Sequence, residues 1–342
     1  MSLCVATRLY TSEVYLEHDP GPLHPERPDR LRSIHAVLQR APIANTERVD
    51  PRPATRDELV TVHDAAYVDA VLATRGQAVQ LDPDTSTSPK SVEAALLAAG
   101  AAVQAVDDVF DRRSDNGFAL VRPPGHHAEG DHAMGFCLFN NAAIAAEAAR
   151  KRGAERVLLL DWDVHHGNGS QSHFISRRDV MYASVHQHPF YPGTGSPFIA
   201  GEGEGAGFNV NCGLPGAQGD DDYSAVFEGL FLPIAEAWQP DFVVVSAGFD
   251  PHRSDPLGGM RVTERGFAAM CTALKGLAKG RIVLCLEGGY DLDGLAQSVH
   301  ACVEVLSGVR SEPLTAGKTR PDTAESLDES WKLHARHWKR RG

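Results

Sequence analysis

Hydrophobic and polar positions along this chain alternate between two rhythms. Short unbroken apolar runs are separated by longer stretches in which Ala and Leu recur at three- and four-residue spacing. That is the pattern of βαβ units and of a parallel sheet, so the fold class expected is α/β. Leu31, Ile34, His35 and Leu38 share one helical face after Pro28-Asp29, and Thr55 with Glu58 has capping-box spacing ahead of a second helix. An Ala-rich helix is expected from Ser88-Pro89 to about Phe110, and another from near Asn141 to Gly153, leading into a strand at Val157 to Leu160. Further helices follow Thr263, ending by Gly280, and Tyr290, ending near Leu306. The Gly- and Pro-rich stretch from Pro189 to Gly207 is too polar for core and suits the rim of a site. From Ser311 the chain turns polar and charged. Residues 1–310 therefore read as one domain, and residues 311–342 as a polar, solvated or partly ordered C-terminal extension.

Four apolar runs each end in metal-binding or proton-handling residues. They are Phe118 to His127, Val157 to Gly169, Phe242 to Asp250 and Ile282 to Tyr290. Ligands of open α/β sheets bind beyond the carboxyl ends of the strands, so residues just past separate runs converge although distant in sequence. Along an extended segment Asp161, Asp163 and His165 point to one side, and Trp162, Val164 and His166 to the other. With Asp250 they offer carboxylates and an imidazole to a mononuclear divalent site that keeps positions open for water and substrate, as catalytic zinc requires. Mixed oxygen and nitrogen ligation also suits iron, manganese or cobalt. His126 and His127 follow the stiff Pro123-Pro124-Gly125 turn and can move protons near neutral pH. Asp161 and Asn168 are the acceptors available to orient them. Gly288-Gly289 presents Tyr290, a phenol able to donate to a developing oxyanion.

Composition narrows the partners. A net charge of -12 over 342 residues argues against constitutive nucleic-acid binding and suits basic substrates such as Lys-rich tails or polyamines. The six cysteines form no CxxC pair, and no apolar run approaches membrane-spanning length. A cytoplasmic protein with no membrane partner is expected. Rival chemistries lack their signatures: there is no Gly-x-Ser-x-Gly elbow and no His-Glu-x-x-His. In Gly201 to Gly207 two Glu among the glycines would repel phosphate, and Cys137 lies between Phe136 and Leu138 as a core residue would.

The segments Arg122-Pro-Pro-Gly-His-His-Ala128, Gly135 to Asn141, Asp161 to Gly169, Ser246 to Asp250 and Glu287 to Tyr290 resemble the zinc-dependent histone deacetylase family. That family also holds bacterial deacetylase-like and acetylpolyamine amidohydrolases. The likeness runs from about His24 to about Leu306. It implies the arginase/deacetylase α/β/α sandwich, three layers around a parallel sheet of about eight strands. It also implies Zn²⁺ on Asp163, His165 and Asp250, with Fe²⁺ or Co²⁺ as substitutes, and a structural K⁺ at Asp161, Asp163, His165 and Ser184. By the same resemblance Asp161 supports His126, Tyr290 bonds the scissile carbonyl, and Phe136 and Tyr191 wall a channel where the Gly135 carbonyl meets the amide N–H. Arg30 lines an internal exit channel. Asn168 stands where class I members have Asp, as in class II and bacterial relatives. Tyr191 occupies a wall position usually given to Phe, and Leu257 the place of an acidic gatekeeper in polyamine-selective relatives. The activity implied is hydrolysis of the acetyl amide of acetyl-lysine in a protein or peptide. Acetylpolyamine hydrolysis and non-catalytic acyl-lysine binding are the alternatives, and which imidazole is base stays open. A binuclear ureohydrolase would need further bridging ligands that the sequence does not offer. Relatives often associate, so a homo-oligomer is compatible with the resemblance.

Overall fold

The computed structural model describes residues 5–315 and 317–339. Cys4 and the last residues of the expected extension, 340–342, lie outside them. Ten strands are present: β1 (Val5–Tyr10), β2 (Thr46–Val49), β3 (Gln80–Asp82), β4 (Thr85–Ser86), β5 (Ser114–Ala119), β6 (Val157–Asp161), β7 (Val180–Gln187), β8 (Asn209–Leu214), β9 (Phe242–Ala247) and β10 (Ile282–Leu286). Eight of them form one sheet in the order β2-β1-β5-β10-β9-β6-β7-β8, and β3 pairs with β4 as a small hairpin. Every pairing in the large sheet is parallel.

The helices are α1 (Asp29–Arg40), α2 (Arg56–Leu59), α3 (Ala65–Ala73), α4 (Ser91–Phe110), α5 (Asn141–Lys151), α6 (Asn168–Phe174), α7 (Asp220–Val226), α8 (Leu232–Trp238), α9 (Glu264–Lys275), α10 (Leu292–Leu306) and α11 (Pro321–His334). Helices α4 and α5 pack together over β5, β6, β9 and β10, while α1, α10 and α9 adjoin one another in a separate row. A central sheet flanked by helices matches the expected class. Strands β6, β9 and β10 are buried along their whole length, as unbroken apolar runs covered on both faces should be.

The four motif-bearing runs prove to be the four central neighbours, β5, β10, β9 and β6. Their ends are level: Asp161 pairs with Ser246, and Leu286 with Ala247. One boundary differs from expectation. The strand before the His pair begins at Ser114 and ends at Ala119, because Pro123 and Pro124 have no N–H for a ladder. Its polar start is stable where Thr7 Oγ1 donates to Asn116 Oδ1 (2.7 Å) and Asn116 Nδ2 donates to the Leu306 carbonyl (3.1 Å).

The C-terminal segment also differs from a solvated extension. Helix α11 packs on β8 and buries Leu327 and Trp331. Removing two such side chains from water contributes roughly 1.5–3 kcal/mol each, enough to hold a helix whose other face is charged. The Ser330 hydroxyl donates to the Asn211 carbonyl (2.9 Å), and Trp338 Nε1 to the Gly207 carbonyl (2.8 Å). The cysteines among the described residues are free and buried.

Candidate active site

Beyond the β6 and β9 ends, Asp163, His165 and Asp250 bring one ligand atom each to within 4.8 Å of one another. Backbone amides set the carboxylates: His165 N–H donates to Asp163 Oδ1 (2.9 Å), Gly288 N–H to Asp163 Oδ2 (2.9 Å) and Val164 N–H to Asp250 Oδ1 (2.8 Å). His165 Nδ1 lies 3.1 Å from both Asp163 Oδ1 and Asp250 Oδ2. Glycine is required at position 288, since a Cβ there would lie 2.2 Å from Asp250 Oδ2 and 2.7 Å from Asp163 Oδ2. Burial pushes the Asp250 carboxyl up to about 7, with the Asp163 charge adding to it. Burial also raises Asp163, yet the His126 and His165 charges overcome it and hold that carboxyl well below its usual range. Two fully buried carboxylates beside one imidazole fit a single divalent cation with an open side.

The open side faces a narrow cavity of about 200 Å³. Its floor has His126, His127 and Tyr290; its walls are Phe136, Phe190, Tyr191 and Leu257. His126 Nδ1 lies 3.0 Å from Asp161 Oδ2, and His127 Nδ1 2.8 Å from Asn168 Oδ1. Burial alone would lower the His126 imidazole, but the Asp161 and Asp163 charges raise it to about 10. His127 has only the neutral amide, so burial and then the neighbouring His126 and His165 charges take it well below its usual value. The two imidazoles of the pair are therefore pushed in opposite directions, His126 up and His127 down. The ring of Phe190 stacks on His165, with centroids 5.4 Å apart.

The sequence and fold match those of known proteins. The model of the histone deacetylase domain matches residues 24–306. The chain belongs to the histone deacetylase family. It is 46% identical over 88% of its length to histone deacetylase 15 of Arabidopsis thaliana, of which the match covers 56%. It is 38% identical over 85% of its length to a probable deacetylase of Archaeoglobus fulgidus, covering 83% of that protein. The crystal structure of the HDA15 HD domain superposes with a TM-score of 0.94 at 41% identity, over 98% of this chain and 96% of that one. The chain thus spans about half the length of the Arabidopsis relative.

Within this histone deacetylase fold the remaining sequence-derived residues fall in three places. Gly135 joins the channel wall, where its carbonyl accepts the Cys137 thiol at 3.2 Å. Ser184 pairs in register with Asp161 and lies 2.8 Å from His186 Nδ1. Arg30 sits behind Tyr290: its Nε donates to the Gly289 carbonyl (2.6 Å), its Nη1 to Glu26 (3.0 Å), and its guanidinium lies 5.0 Å from the phenol ring centre.

Two of the groups that the sequence reading passed over brace the site. Glu287, buried at the end of β10, accepts the Gly125 N–H (2.6 Å), the His126 N–H (3.2 Å) and the Ser246 hydroxyl (3.1 Å), tying the His-pair turn to two strand ends. Asp255 accepts the Tyr290 N–H (2.6 Å), the Asp291 N–H (3.2 Å) and the Leu257 N–H (2.9 Å). Glu287 had a signal in its place before Gly-Gly-Tyr. Asp255 had none, because its partners are main-chain groups. Among the described residues no helix is long and apolar enough to cross a membrane.

Proposed function

We propose that the protein is a zinc-dependent deacetylase that hydrolyses the acetyl amide of acetyl-lysine in a peptide or protein and releases acetate. The observation that supports this reading is the convergence of Asp163, His165 and Asp250 beside a cavity of about 200 Å³ lined by Phe136, Phe190 and Tyr191. Asp163, His165 and Asp250 would hold the ion, and Asp161, Asp163, His165 and Ser184 a structural potassium. When bound, Zn²⁺ supplies Lewis acidity and lowers the pKa of a coordinated water. His127, neutral and oriented by Asn168, takes the proton of the attacking water and returns it to the departing amine. His126, charged against Asp161, stabilises the negative charge that develops beside it. Tyr290 donates its phenolic hydrogen to the carbonyl oxygen as that oxygen becomes tetrahedral. Phe136, Phe190 and Tyr191 exclude water from the stem. Leu257 stands at the position where polyamine-selective relatives carry an acidic gatekeeper, which favours an acyl-lysine over a polyamine. Turnover of an acetyl-lysine peptide that stops on chelation and returns with Zn²⁺ is expected. Faster hydrolysis of acetylated putrescine than of any such peptide would replace the substrate, and no hydrolysis of either would end the reading.

A further inference from the structure

Three segments far apart in sequence meet at one carboxylate over the channel entrance. Asp84, in the β3–β4 hairpin, accepts the Gly135 N–H (3.0 Å) and the Thr85 hydroxyl (2.8 Å) on Oδ1. The Thr85 oxygen in turn accepts the Phe136 N–H (2.9 Å). The hairpin thereby holds one aromatic wall in a backbone conformation rare for a non-glycine residue, φ +71° at Phe136. Asp84 Oδ2 accepts the Tyr191 phenol at 3.1 Å, and Tyr191 is the opposite wall. The Tyr191 ring stands edge-on to His127 and His165, with centroids 5.2 and 5.8 Å away. Phenylalanine would fill the same wall without this bond.

Resting on the channel reading above, we propose that Asp84 is a specificity-determining residue: its carboxylate ties the two aromatic walls together, so the entrance passes slender alkylamine stems and excludes bulk beside them until the Tyr191 bond opens. Burial raises the Asp84 carboxyl, but the Thr85, Gly135 and Tyr191 hydrogen bonds outweigh it and keep the group an anionic acceptor at neutral pH. The bond is built to open. At 3.1 Å it is longer than the roughly 2.5–2.7 Å of a strong hydroxyl-to-carboxylate bond, and Tyr191 is 38% exposed, so water can take its place. The Gly135 and Phe136 side of the clasp is the fixed side, with Thr85 only 1% exposed. Tyr191 is the side that swings.

The test uses the zinc-loaded protein and two metal-chelating hydroxamates, one on a bare linear alkyl stem and one whose identical stem carries an aryl cap at the entrance. Association rates are measured by stopped flow for the wild type, Tyr191→Phe, Asp84→Ala and the double variant. Tyr191→Phe is expected to speed the capped probe about fivefold, the cost of opening one hydrogen bond, and the bare probe by no more than about twofold. Asp84→Ala, which also strands the Gly135 N–H and the Thr85 hydroxyl, should speed the capped probe at least as much, and adding Tyr191→Phe to it should change nothing further. Equal changes for both probes, additive effects, or failure of both probes to bind would overturn the clasp. Wild-type protein that shows the probe pattern yet leaves acetyl-lysine intact would overturn the deacetylase reading alone; hydrolysis without the pattern would overturn the clasp alone.

Discussion

The two ends of the central sheet carry charge in opposite ways. At the amino-terminal ends, Arg156 meets Asp241 at 3.5 Å, and Arg150 and Arg177 meet Asp179 at 2.8 Å, all with side chains 29–39% exposed. At the carboxyl-terminal ends Asp161, Asp163, Asp250 and Glu287 are fully buried. Solvated pairs of the first kind contribute about 0–1 kcal/mol each, and losing one is tolerated. Four buried carboxylates within one cluster are costly even when each is hydrogen-bonded. Folding stability alone gives no reason to gather them. The surrounding amides and imidazoles are the means of tolerating it, and the proposed metal site gives the cluster a purpose.

Breaking the buried end should have the largest consequence. Asp250→Ala is expected to lower turnover of an acetyl-lysine peptide about 10³-fold or more, the several kcal/mol of charge stabilisation a bound metal supplies, with zinc content of the dialysed protein falling alongside. Tyr290→Phe keeps the ion and removes one oxyanion donor, so kcat should fall about 10²-fold while zinc content holds; a loss under about tenfold would remove the phenol from the mechanism. Glu287→Ala strands the Gly125 and His126 amides and the Ser246 hydroxyl. Its expected cost is about 3 kcal/mol, read from the urea midpoint.

Away from both ends, the α11 flank offers a pH-dependent contrast. Burial, then the nearby His337 charge, lowers the His334 imidazole to about 4, and neither of its ring nitrogens has a hydrogen-bond partner among the described residues. An unfolded chain takes up that proton near pH 6.5, whereas the folded one resists it until about pH 4. Stability should therefore be complete above pH 6.5 and decline as pH falls toward 4. Thermal melts between pH 6.5 and 4 should show this decline in the wild type and a shallower one in His334→Leu. Smallest of all, Arg156→Ala at the exposed end should shift the melting temperature by no more than about 2–4 °C. A larger drop there would erase the distinction between the two ends.

How much of this was legible in the chain follows the same division. The central strands β6, β9 and β10 announced themselves as apolar runs, and the residues just past them were gathered correctly because parallel strands bring their carboxyl ends together. The start of β5 was hidden because Asn116 is buried and satisfied by Thr7 and Leu306, partners that no local pattern reveals. Strands β1, β2, β7 and β8 lay outside the four runs singled out; β8, with Asn209 and Asn211, and the four-residue β2 carry a weaker apolar signal. Helix α11 was masked by its charged face, since Leu327 and Trp331 are its only large apolar buried side chains and its other buried residues, Thr323, Ser330 and His334, are polar. Phe190 escaped because stacking on His165 depends on a loop path rather than a repeat. Asp84 and Asp255 escaped because the donors they accept come largely from distant segments.

Helix α11 also determines what the sheet cannot do. Strand β8 would otherwise present a bare row of amides and carbonyls, a ready template on which another polypeptide could align and from which fibrils grow. Instead, Leu327 and Trp331 lie over it, and Ser330 occupies the Asn211 carbonyl. The opposite flank, β2, is four residues long with Glu47 and Arg48 in ion pairs to Arg8 and Glu13, a poor seed for templating. Clipping the last helix should therefore cost solubility before it costs chemistry.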